Sequence, residues 1–369
     1  MKKFVCFLLA VAMLASAFVF AGAESSAKSV LLLVPTAGGS YFSAAVMGVK
    51  ALEEKYPGTV TTVVEMGEIP MDKAGAEYEL ETYRPFFTEA CEGKQYDLII
   101  CMGAECNPAL TEAAKAYPEQ LFFSCDMQEA LSESLPNVYG LTYLNKDLGY
   151  LAGSVAAMVT VSSMEKANPE KKVGVIVGID VPPLNEYIGG FLQVCKEKGV
   201  TVYVDYAGDF IADIAPEVAA KAKAMYDDGV DVVWQVAGAA GSGVFTAARE
   251  AGKYAFGVDC DQTQTVEDPA EAETIVTSFY ADYAAAIDKT FALVLDGTFA
   301  GGTYPTVGLK EGFVGYADNA RFNAVATDEV KAGIAELYAA MASGETEVFS
   351  VMADPAAFEA LRAEVAPKA

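Results

Sequence analysis

After its first 28 residues the chain alternates between strand-like and helix-like segments almost without exception, which confines it to the α/β folds. Apolar and β-branched runs over 29–36, 60–67, 96–103 and 120–127 read as strands buried on both faces. Helix-like segments lie between them at 41–56, 74–93 and 108–118, with Pro85 expected to interrupt the second. A helix over 148–160 starts the rhythm again, with strands at 171–178, 200–208, 230–238 and 254–261. The helices between these strands lie around 185–199, 216–229 and 241–252, and Gly199, Gly229 and Gly252 stand where C-caps are expected. Beyond 272 an extended run (272–280), a helix (281–297), another extended run (303–317) and a last helix from near Thr327 pass between the two units. The expectation is two doubly wound parallel-sheet lobes joined by hinge crossings. One lobe comprises 29–143 with about 281–303, and the other 144–277 with part of 304–369.

With 53% hydrophobic residues in 369, the chain can fill two cores. Lys2 and Lys3, an apolar stretch and the Ala21-Gly22-Ala23 site describe a secretory signal peptide over 1–23; the alternative is an uncleaved anchor. No lipobox precedes Cys6, and no later apolar stretch has membrane-spanning length, so a free periplasmic or secreted protein is expected. A net charge of −26 excludes nucleic acid and anionic lipid as partners. There is no histidine, so neither a Ser-His-Asp nor a Cys-His catalytic site can exist. The six cysteines outside the leader form no C-x-x-C pair; a Cys101–Cys125 bridge between neighbouring strand ends is one possibility and buried thiols the other.

Open α/β sheets bind ligands at the carboxyl ends of their strands. There the sequence places Gly38-Gly39-Ser40-Tyr41-Phe42, then Glu105 and Asn107 (with Asn107 as a helix N-cap), then Tyr187, Gly238, and the pair Asp259 and Asp261. Gly-rich turns, aromatics and short polar groups suit a cleft with aromatic walls. Each also has a plainer reading. Tyr41 and Phe42 could staple a helix start, and Tyr187 could be core. "GAAGSG" departs from a dinucleotide fingerprint, and the two aspartates could bind a cation, cap a turn or, as paired carboxylates, cleave a glycoside. No cofactor or metal is implied.

The segments 137–160, 171–191, 226–262 and 301–317 together resemble the basic membrane protein family of purine-nucleoside-binding receptors for ABC importers. The resemblance implies a type I periplasmic binding fold, no catalysis, a membrane permease as partner and a monomer that carries a nucleoside-like ligand. It places Tyr187 on an aromatic that stacks on the base, Gly238 on a ligand-contacting glycine and Asp259 on the acid that accepts from ribose hydroxyls. The first turn departs from the family's D-x-S-F-N-Q: Gly38 stands for the acid, Phe42 for the amide, and Tyr41 keeps the aromatic. Glu105 is close to, but not at, a base-contacting aspartate, and Ala281 stands where a ribose-binding lysine is usual. These departures leave the ligand open between a nucleoside and another aromatic, hydroxylated molecule. A ligand-sensing protein of the same fold, outside transport, is the alternative role.

Overall fold

The computed structural model describes residues 28–70, 73–93 and 95–366; the expected leader lies outside them. In the first unit, β1 (Ser29–Val34), α1 (Gly39–Lys55), β2 (Val60–Glu65), α2 (Ala76–Glu92), β3 (Leu98–Cys101), α3 (Asn107–Ala116), β4 (Phe122–Ser124) and β5 (Val138–Gly140) follow in order. The strands form a wholly parallel sheet, β2-β1-β3-β4-β5. Their two-residue period decides which core each side chain enters. In β1, Leu31 and Leu33 join Tyr83, Phe87 and Leu110 on one face. Val30, Leu32 and Val34 join Val49 and Ile287 on the other.

A short strand β6 (Thr142–Tyr143) and helix α4 (Asn145–Val161) lead into the second unit. There β7 (Lys172–Val177), α5 (Pro182–Lys198), β8 (Thr201–Tyr206), α6 (Ala215–Asp227), β9 (Val232–Val236), α7 (Ser242–Ala251), β10 (Tyr254–Val258), α8 (Pro269–Ala272) and β11 (Ile275–Ala281) follow. The chain then returns through α9 (Tyr283–Leu295), which packs on α1, and β12 (Thr306–Val307), which pairs with β6. It ends with β13 (Val314–Tyr316), α10 (Ala320–Val325), α11 (Asp328–Ser343) and α12 (Pro355–Val365). The second sheet runs β13-β11-β10-β9-β7-β8, parallel except for β13. Helices α11 and α12 pack on α4 and α5.

Three expectations are corrected, and one choice between two alternatives is decided. Helix α2 runs unbroken through Pro85. The proline lies on the exposed face, where the Glu81 carbonyl it leaves without a donor is open to water, while Tyr83 and Phe87 anchor the opposite face. The last helix is α12, not the one that Thr327 caps. Gly229 stands one residue beyond the α6 C-cap, which is Asp228; Gly199 and Gly252 are left-handed C-caps as expected. Cys101 and Cys125 are both buried free thiols. Cys101 pairs in register with Ser124, so Cys125 is one residue further on and enters the opposite core.

Helices α4 and α5 cross at backbone contact. A Cβ on Gly149 would lie 2.0 Å from the Tyr187 carbonyl oxygen, and one on Gly190 would lie 2.1 Å from that of Lys146. This crossing fixes where Tyr187 stands. Because the obstacle is backbone, Gly149→Ala should destabilise the protein by about 1–3 kcal/mol. Chemical denaturation should show a lower midpoint with an unchanged slope, and an unchanged midpoint would contradict the packing described.

Candidate functional site

The first residues of α1 reach across to the second sheet. Ser40 is buried, and its Oγ donates to Oδ2 of Asp259 at 2.7 Å. Asp259 follows β10 directly and holds a left-handed φ of +67°, a conformation that costs a non-glycine residue about 1 kcal/mol or more. The loop after β1 and the loop after β10 therefore meet side chain to side chain.

Beside that contact, Tyr41 and Tyr283 both donate their hydroxyls to Oδ2 of Asp126, at 3.1 and 3.3 Å. The Gln128 amide donates to Oδ1 at 3.1 Å. Asp126 lies just past β4 and is buried. The Tyr41 ring meets Phe42 at 4.8 Å and Tyr283 at 5.7 Å, both edge-on, and Tyr283 meets Tyr143 at 5.0 Å. From the second unit Tyr187 packs edge-on against Trp234, 5.9 Å between centroids. Burial raises the Tyr187 hydroxyl well above its ordinary pKa, and the charges of Asp259 and Asp126 add to the rise, so the ring sits in the field of both acids.

Glu105 is folded back over the end of β3. A Cβ on Gly103 would lie 2.5 Å from Oε2 of Glu105, and Gly103 itself has a φ of +104°; only glycine permits that fold. Burial pushes the Glu105 carboxyl up to about 7; its own amide pulls it down, while Glu79, Asp126 and Glu68 raise it further. Burial pushes Asp259 up to about 6, with the Ser40 hydrogen bond opposing and Asp126 adding. Asp126 is raised by burial against the hydrogen bonds from Gln128, Tyr41 and Tyr283.

Ser40, Tyr41, Phe42, Glu105, Tyr187 and Asp259 thus come together. Three other residues singled out from sequence are engaged with their own chain. Asn107 is the first residue of α3 rather than its cap, which is Cys106 with no side-chain bond. Its amide donates to the Met127 carbonyl at 3.0 Å because the helix has already begun there. Gly238 opens the turn before α7 with Phe210 against it. Asp261 caps the turn Gln262–Gln264, accepting on Oδ1 from Thr263 and from Asn319 Nδ2.

Asp126, Tyr283 and Phe210 were not singled out. Asp126 was read as part of a strand over 120–127, yet β4 stops at Ser124, so the rule of looking past each strand end would have found it. Tyr283 is hidden by the apolar periodicity of α9, and Phe210 by a loop without a motif.

Two parallel sheets whose carboxyl ends meet across aromatic and acidic side chains define a solute-binding receptor with a type I periplasmic-binding fold. The chain belongs to the Bmp family: the family model of ABC transporter substrate-binding proteins, PnrA-like, matches residues 34–340. Members of this family are receptors, not enzymes. Among relatives, the ABC transporter nucleoside-binding protein BmpA of Lactococcus lactis is 29% identical, over 70% of this chain and 73% of its own. Basic membrane protein A of Borreliella afzelii is 29% identical over 51% of this chain; the match spans about half of that relative, 55%. A solute-binding protein of an ABC transporter system from Aeropyrum pernix superposes with a TM-score of 0.69 at 24% identity, covering 92% of this chain and 99% of its own; at that identity the likeness shows the fold. No helix among the described residues is long and apolar enough to cross a membrane.

Carboxyls with raised pKa values bind more protons in the folded than in the unfolded state. For Glu105 and Asp259 the window is about pH 4 to 7, so their contribution makes the free protein more stable as pH falls through it and less stable as pH rises. Melting temperatures taken from mildly alkaline to mildly acidic buffer should rise more in the wild type than in Glu105→Gln. Parallel curves would show that Glu105 titrates normally.

Proposed function

We propose that this chain captures a nucleoside-like small molecule between its two units and delivers it to an ABC permease. The observation that carries the reading is the convergence of Ser40, Tyr41, Tyr187, Asp126 and Asp259 at facing carboxyl ends. Aromatic rings of Tyr41 and Tyr187 offer flat faces for a base, and Asp259 offers a half-buried acceptor for vicinal hydroxyls. The nucleoside-binding relative supports the same class of ligand.

In this reading the lobes are 29–143 with about 281–303, and 144–277 with part of 304–369. The paired strands β6 and β12, together with the chain between β11 and α9, act as the hinge. Ligand contacts to both lobes favour the closed arrangement, which the permease then recognises. The mature protein is exported through a leader ending at Ala23 and acts as a monomer.

Titration calorimetry against adenosine, guanosine, inosine, uridine, free bases, vitamins and sugars tests the ligand class. A nucleoside should bind, and Tyr187→Ala should weaken it by about ten- to a hundredfold through lost stacking. Asp259→Asn should weaken ribosides about tenfold or more while affecting the free base less. Heat from no nucleoside would reject the ligand, and equal binding by Tyr187→Ala would reject the site.

A further inference from the structure

We infer that the ligand this cleft prefers carries a positive charge, held among the carboxylates of Glu105, Asp126 and Asp259 and against the faces of Tyr41 and Tyr187. The inference rests on the reading that the cleft takes up a small molecule, and adds the charge of that molecule. Elsewhere, fully buried Asp231 meets Lys253 Nζ at 2.7 Å, whereas buried Glu186 has no basic partner and accepts from Ser350 and the Met352 amide. Among the described residues, Glu105, Asp126 and Asp259 have no ion pair with any Lys or Arg. Their hydrogen-bond partners are hydroxyls and amides.

The groups around the three acids deepen the imbalance. Glu79 and Glu68 act on Glu105 with the same sign as Asp126 does. Asp282, spent on capping α9, adds negative charge beside Tyr143. A second, independent feature marks the spot. The Tyr143 hydroxyl is buried without an oxygen or nitrogen partner, in a residue only 9% exposed, and lies in the field of Cys125, Asp126 and Asp282. A buried polar group left without a partner is uncommon and costs free energy. The raised carboxyls agree with this: acids that lack counter-charge hold their protons, and an incoming cation releases them. Aromatic faces beside carboxylates are the environment in which organic cations are stabilised. The net charge of −26 also draws cations toward the protein.

Matched pairs that differ in charge test this by calorimetry near neutral pH. The first pair is 1-methyladenosine, a cation, against its neutral isomer N6-methyladenosine. The second is 1-methylnicotinamide, a cation, against nicotinamide. The cation of at least one pair should bind about tenfold more tightly, and Glu105→Gln should shrink that ratio several-fold. If neutral nucleosides bind as tightly as 1-methyladenosine, the charge inference fails while the nucleoside reading stands. If only 1-methylnicotinamide is preferred and no nucleoside binds, the charge inference stands and the nucleoside reading fails. Binding of neither cation, or a ratio unchanged in Glu105→Gln, would overturn the inference.

Discussion

The 2.7 Å hydrogen bond from Ser40 to Asp259 can form only if two parallel sheets present their carboxyl edges to each other. The layout of the chain around the site serves that requirement. Each sheet is held from both faces by helices, so the turns at its strand ends are placed by packed cores rather than by loops alone. The apolar core that includes α1 and α9 continues into α4 and α5, so the two units share one face of packing. The crossing of α4 and α5 at Gly149 and Gly190 then fixes the position of Tyr187 relative to Asp259.

The site departs from ordinary surface chemistry in its electrostatics. Asp126 lies close enough to raise the proton affinity of both Glu105 and Asp259, and burial raises that of all three. Holding such charges together is unfavourable in the free protein. The left-handed backbone at Asp259 adds local strain. Strain and unbalanced charge in one small region are typical of a surface shaped for a ligand rather than for stability.

Much of the fold was legible because a buried parallel strand leaves an unambiguous trace. Runs such as Val30–Val34 and Val232–Trp234 are apolar at consecutive positions, and only a sheet covered on both faces accepts that. Pro85 misled because the cost of an interior proline is outweighed here by the packing of Tyr83 and Phe87 on the opposite, buried face, and that packing is not readable at one position. The choice between a Cys101–Cys125 bridge and free thiols stayed open for a related reason: the two stand at neighbouring strand ends but on opposite faces, which depends on a register no single strand reveals. In the site, Ser40, Tyr41 and Asp259 followed from the strand-end rule. Asp126 was missed through an error of three residues in a strand boundary. Asn107 and Asp261 stand at the right ends but bond to the Met127 carbonyl and the Asn319 side chain, and side-chain direction is set by neighbours distant in sequence.

Native mass spectrometry of the mature chain, purified without unfolding, addresses the central claim of a ligand-holding cleft most directly. The account predicts that the wild type carries a small ring-containing molecule released on denaturation, and that a protein altered at both Tyr41 and Tyr187 to alanine folds but carries none. A bound molecule retained equally by the altered protein would place the ligand elsewhere and contradict the account.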